Sequence, residues 1–181
     1  MIRRVVAIGG PPGSGKSTAG RLVAEALELE YVSAGAVFRA EAERRGFDLE
    51  AFGRFAEAHP EVDRELDRRM QALARPGVLL DGRIQGVLCR RNGIPVHAIA
   101  VTASEEERVR RVAARDRESA EMARAHLVAR EASERDRYLR YYGIDLETTP
   151  ADLTVDSTRQ PPHEVAAEVV VFVRSHDAEP A

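Results

Sequence analysis

The sequence predicts an α/β chain built on a doubly wound, five-stranded parallel sheet. Three observations carry this. Short apolar runs recur along the 181 residues, separated by longer segments whose apolar residues repeat at helical spacing. One run, GVLLD at 77–81, is apolar without alternation, as expected of a parallel strand covered on both faces. Another, RVVAI at 4–8, ends in glycines and passes at once into helix-period sequence, the strand, loop and helix order of a crossover unit.

In chain order, the first strand leads through the glycines to a helix in which Leu22, Ala26 and Leu29 share a face. EYVS at 30–33 is a short second strand, and Ser33 is placed to cap a helix that stops at Gly46. Asp48 caps the next helix. Pro60 opens another, with Val62, Leu66, Met70 and Leu73 on one side. Three helices therefore separate strands two and three. After 77–81 comes a helix from about Arg83 to Arg91, then the strand VHAIAVTA at 96–103. A charge-rich helical region follows from Ser104 to about Tyr142, broken near 116–119. DLTVD at 152–156 and a helix over 161–175 close the pattern, and the tail 176–181 reads as frayed. With no repeat or linker, residues 1–181 read as one domain.

Composition narrows the function. A net charge of -3 and 31% charged residues argue against a constitutive nucleic-acid or anionic-membrane binder. A single cysteine, Cys89, excludes an internal disulfide and a cysteine metal cluster. No apolar stretch approaches the roughly 20 residues of a membrane span. We expect a cytoplasmic monomer whose partners are small molecules.

Gly10, Gly15, Lys16 and Ser17 satisfy G-x-x-x-x-G-K-[ST] between a strand and a helix, the setting of a phosphate-binding loop. Pro11 and Pro12 lack an N–H, so the phosphate donors must come from Gly13, Ser14, Gly15, Lys16, Ser17 and Thr18. Lys16 is the only lysine among 27 basic residues. A compact ammonium can follow phosphate oxygens inside a narrow loop, where a planar guanidinium is too wide. The ligand expected is ATP with Mg²⁺, held by the Ser17 hydroxyl and by Asp81 at the end of the third strand. Arg39 and Arg83 stand where the carboxyl edge of the sheet could hold an acceptor phosphate. Arg108, Arg111 and Arg115 form one helical stripe, and Arg130, Glu134 and Arg137 form another; both are expected to face a common space.

These blocks give the chain a family likeness. With YVSAGAVFR (31–39), HPEVDRELDRR (59–69), DGR (81–83) and REASERDRYLRYYGID (130–145), it resembles the nucleoside monophosphate kinases and, among them, the short cytidylate kinases best known from archaea. The resemblance runs from about Val5 to Val173. It implies a P-loop kinase core, an acceptor-binding segment over about 34–75 and an ATP lid over about 116–137. It implies transfer of the ATP γ-phosphoryl group to CMP or dCMP. Lys16 and the loop amides would then hold ATP, helped by Arg111 and Arg115, with Asp156, Ser157 and Thr158 beside the adenine. Ser33, Arg39 and Arg83 would hold the acceptor, and Arg130 and Arg137 the charge between the two. Glu134 stands where longer bacterial relatives carry aspartate.

Ala36 stands where the short archaeal enzymes usually have aspartate and the bacterial ones alanine, and Ile84 where bacterial enzymes place a cytosine-reading aspartate. Asp63 and Asp67, one helical turn apart beside Arg64 and Arg68, are the alternative base readers. Three other readings stay open: a P-loop kinase for AMP, UMP, shikimate or dephospho-coenzyme A; a nucleotide-dependent switch; and an RNA binder. A guanine-type N-K-x-D motif would need a second lysine, and interleaved acids disfavour RNA.

Overall fold

The computed structural model describes residues 2–177, and of Leu49 and Glu50 only the backbone. Strands β1 (Val5–Gly9), β2 (Glu30–Ser33), β3 (Val78–Asp81), β4 (Val96–Thr102) and β5 (Leu153–Asp156) form one sheet in the order β2-β3-β1-β4-β5. All four pairings are parallel. Helices α1 (Lys16–Ala26) and α2 (Ala34–Arg44) follow β1 and β2, and α3 (Leu49–Ala58) and α4 (Pro60–Ala72) complete the insertion before β3. Then come α5 (Gln85–Arg91), α6 (Glu105–Asp116), α7 (Ala120–Tyr142) and α8 (Pro162–His176).

Alternation along β1 builds the two-sided core. Val6 and Ile8 pack with Leu79, Val101 and Val155 against α1 and α8. Val5 and Ala7 face the other way, with Val78, Leu80, Met70 and Cys89 toward α4 and α5. Because the strands are parallel and in close register, their carboxyl ends lie together: Ile8 pairs with Asp81, and Ser33 with Asp81. The functional loops therefore start from one edge.

The insertion has its own apolar cluster, Phe52 with Ala42, Ala56, Val62 and Leu66, distinct from the sheet core. Its caps follow the sequence: the Ser33 hydroxyl accepts from the Ala36 amide at 3.3 Å, and Asp48 from Ala51 at 2.7 Å. Residues 117–119 break the charged helical region, with Arg117 at φ 57 and Ser119 capping α7. Two boundaries differ from expectation. Arg83 and Ile84 stay outside α5, so the Arg83 side chain leaves from a turn. His176 ends α8 and Asp177 accepts from the Arg3 and Arg4 amides, so this part of the expected frayed tail is pinned; 178–181 lie outside the described residues.

Candidate active site

Past Gly9 the chain turns through Gly10 at φ 141, where a Cβ would stand 2.0 Å from the Val101 carbonyl oxygen; only glycine fits. Gly15, at φ 83, opens α1. Among the described residues the amides of Gly13, Gly15, Lys16 and Ser17 have no hydrogen-bond partner, whereas Ser14 N–H donates to Pro11. Unpaired amides at a helix start form an anion cradle. Helix α6 holds this loop from behind. Arg108 donates to the Pro12 carbonyl at 3.3 Å and pairs with Glu131. Arg111 donates to the carbonyls of Ser14 (3.2 Å) and Ser157 (2.6 Å) and to the Ser157 hydroxyl (2.9 Å).

Beside the loop, the Ser17 hydroxyl donates to Asp81 Oδ2 at 2.6 Å, and Tyr31 donates to the same oxygen at 2.5 Å. Burial and this carboxylate push the Tyr31 phenol up to about 12, so it remains a donor. A hydroxyl and a carboxylate side by side suit Mg²⁺, which takes oxygen ligands and keeps waters and phosphates for the rest. Burial also pulls the Lys16 ammonium below the ordinary lysine value, against the pull of Asp81 and Glu134.

Facing Lys16 is a cluster of arginines held on acids. Arg83 Nε lies 2.8 Å from Glu134 Oε2 without hydrogen-bond geometry, and Arg130 Nε donates to Glu134 Oε1 at 2.8 Å. Burial pushes the Glu134 carboxyl up, but Arg130 and Arg83 outweigh it and the net shift is downward. Arg137 Nη1 reaches both oxygens of Asp63 at 2.8 Å, leaving its buried Nε without a partner. Burial raises the Asp63 carboxyl despite this guanidinium. Glu134, Asp63 and Arg137 are 6%, 6% and 8% exposed. Charges buried this deeply, with donors still unused, fit a place where an anion binds.

Similarity to known proteins settles the family. A family model described as an AAA domain matches residues 9–128. A protein named "Cytidylate kinase" from Methanocaldococcus jannaschii is 38% identical over 158 residues, covering 86% of this chain and 89% of its own. One of the same name from Aeropyrum pernix is 44% identical over 153 residues, covering 83% and 88%. The chain belongs to the cytidylate kinase family, on an AAA-domain core. The fold extends further: shikimate kinase from Bacteroides thetaiotaomicron superposes with a TM-score of 0.62 over 94% of this chain and 98% of its own, at 14% identity.

In this member of the cytidylate kinase family, the sites expected from sequence divide into three groups. Lys16, Ser17 and Asp81 meet at the loop, and Arg83, Arg130, Glu134, Arg137 and Asp63 gather opposite. Ser33 opens α2, and Arg39 is exposed with no ion-pair partner among the described residues. The first arginine stripe divides. Arg111 is spent on the loop and on Ser157, while Arg115 is exposed and pairs with Asp116. Arg64 is exposed, about a quarter turn round α4 from buried Asp63. Asp156 is exposed and accepts from Thr158, while Ser157 lies buried, its hydroxyl 2.7 Å from the Ser14 carbonyl. Sequence reasoning missed Tyr31, Gln85 and Tyr142. Tyr31 had one signal: it lies two residues before Ser33, on the same side of β2.

Proposed function

We propose that the chain transfers the γ-phosphoryl group of ATP to CMP, and to dCMP, releasing ADP and CDP or dCDP. One observation carries this reading: Lys16, in a loop of free amides, faces Arg83, Arg130 and the Glu134 that pairs with both. That is a donor cradle looking onto an acceptor cradle. The names borne by relatives at 38% and 44% identity support cytidine monophosphate as the acceptor.

Each residue then has a task. The amides of Gly13, Gly15, Lys16 and Ser17 and the Lys16 ammonium bind the β- and γ-phosphates; Gly10 lets the loop close on them. Ser17 and Asp81 would hold Mg²⁺, which supplies charge neutralisation between those phosphates. Arg39 and Arg83 bind the acceptor phosphate, and Arg130 and Arg137 stabilise charge on the group in flight. An acceptor phosphate is already an anion, so no general base is required; positioning and electrostatics suffice. Asp63 and Glu134 hold the arginines until phosphates replace them as partners. We take the acting unit to be a monomer. No helix among the described residues is long and apolar enough to cross a membrane, and we place the enzyme in the ATP-rich cytoplasm.

A coupled assay over CMP, dCMP, UMP, AMP, shikimate and dephospho-coenzyme A tests this. CMP turnover with Mg·ATP is expected to lead the panel. Absence of turnover with every pyrimidine monophosphate overturns the proposal.

A further inference from the structure

Below the arginine cluster runs a chain of side-chain amides that the transfer step does not use. Asn92 Nδ2 donates to Gln71 Oε1 at 3.2 Å, Gln71 Nε2 to Gln85 Oε1 at 2.8 Å, and Gln85 Nε2 to Asp67 Oδ1 at 2.9 Å. Tyr142 donates to the other oxygen, Asp67 Oδ2, at 2.7 Å. The direction of this chain is dictated by its last member. An ionised carboxylate only accepts, so Gln85 must turn its NH2 toward Asp67, and Gln71 and Asn92 are then fixed in turn. Burial, with Asp63 nearby, raises Asp67 to about 6 against the pull of Tyr142, Gln85 and Arg137, which leaves it mostly ionised at neutral pH.

The pair lies beside the arginines proposed for the acceptor. Gln85 follows Arg83 by two residues and is 1% exposed, with its Cγ 2.8 Å from where a Cβ on Gly82 would stand. Asp67 lies one turn of α4, about 5–6 Å, beyond the Asp63 that holds Arg137. Asp67 and Gln85 thus adjoin, by one helical turn and by two residues, the elements that carry the two arginines proposed to hold phosphate, and we take the acceptor's base to reach them from that side. Ile84, the position where a carboxylate reader was absent from the sequence, is buried in the core and offers no polar atom.

Resting on the reading of this site as a CMP kinase, we propose that Asp67 and Gln85 form the pair that selects cytosine over uracil. Asp67 accepts from the exocyclic 4-amino group while the second N–H of Gln85 donates to ring N3. Their facing atoms, 2.9 Å apart, are spaced for two side-by-side hydrogen bonds. Uracil reverses both partners: its O4 meets a carboxylate, and its N3–H meets an NH2 that the amide chain keeps from flipping.

The test compares kcat/KM for CMP and UMP. In Asp67→Asn, whose amide can present either face, the CMP/UMP ratio is expected to fall ~10-fold to ~100-fold, the discrimination of a two-point base contact. Gln85→Met keeps the volume and removes the donor, and it should lower the ratio by at least ~10-fold with the KM for ATP held. Asn92→Ala loosens the chain from its exposed end and carries the same test if an inner variant fails to fold. A merely structural role would slow both nucleotides alike. Ratios within roughly 2-fold of wild type in the folded variants overturn the base pair alone. A wild-type protein with no CMP turnover overturns the functional reading, and the base pair with it.

Discussion

Lys16 shows how little latitude a phosphate loop allows. Everywhere else this chain uses arginine for a positive charge, yet in the narrow turn opened by Gly10 and Gly15 a compact ammonium suits phosphate oxygens better than a planar guanidinium. Lys16→Ala is expected to lower kcat by about 100-fold or more, the scale seen when a group stabilising transition-state charge is removed. Lys16→Arg should recover little of it, although the charge is restored. Near-normal turnover in either variant contradicts the role. Arg39 answers to a different measurement. It is exposed, and its truncation removes no ion pair among the described residues. Arg39→Ala should raise the KM for CMP ~10-fold while that for ATP moves little, and an equal rise in both would remove it from the acceptor site.

Helix α7 joins the two halves of the candidate site. Its 23 residues carry Arg130, Glu134 and Arg137 past the phosphate loop, and Tyr141 donates to the Glu57 carbonyl at 2.8 Å. The Arg137–Asp63 pair is the deepest of its ties to the helical insertion between β2 and β3. Asp63→Ala leaves a buried guanidinium without its counter-charge, an expected cost of about 3 kcal/mol, read as a lower urea midpoint at unchanged slope. Adding Arg137→Met should return part of that stability without returning activity; a double variant no more stable than the single one would deny the pairing. What the sequence made legible here was local. The caps at Ser33 and Asp48, the break at 117–119 and the glycine loop all follow from neighbours within a few residues. The stripe of Arg108, Arg111 and Arg115 was visible as a stripe, but its partners were not. Arg111 serves the Ser14 carbonyl, 97 positions away, and main-chain oxygens leave no mark in a sequence. Tyr31, Gln85 and Tyr142 were missed for the same reason: their partners Asp81 and Asp67 come within reach only once the parallel register and the packing of α4 are fixed.

At the scale of the whole molecule, the first strand is fastened to the last helix by a polar seam that contains none of the candidate site residues. Asp177 accepts from the amides of Arg3 and Arg4 and from His97 Nε2 at 3.2 Å, which joins the start of β1, the middle of the sheet and the end of α8. His97 is 2% exposed, and burial holds its imidazole below the ordinary histidine value despite Asp177. Burial raises the Asp177 carboxyl, but the Arg3 and Arg4 amides and His97 outweigh it, so the net shift is downward. Both groups act in the same sense. As pH falls through about 6.5 the unfolded chain takes up a proton at His97 before the folded one does, so stability is present above that pH and lost below it. Asp67 opposes this, since a carboxyl raised to about 6 binds its proton more tightly in the folded state. That contribution is common to wild type and to a His97→Gln variant, so the difference between the two isolates the seam. His97→Gln is expected to melt lower than wild type at pH 7.5. The gap should narrow by pH 5.5, because only the wild type loses stability through the imidazole. Thermal melts at the two pH values decide it: a gap that stays constant or widens on acidification means that His97 does not titrate across folding, and that the seam holds by shape alone.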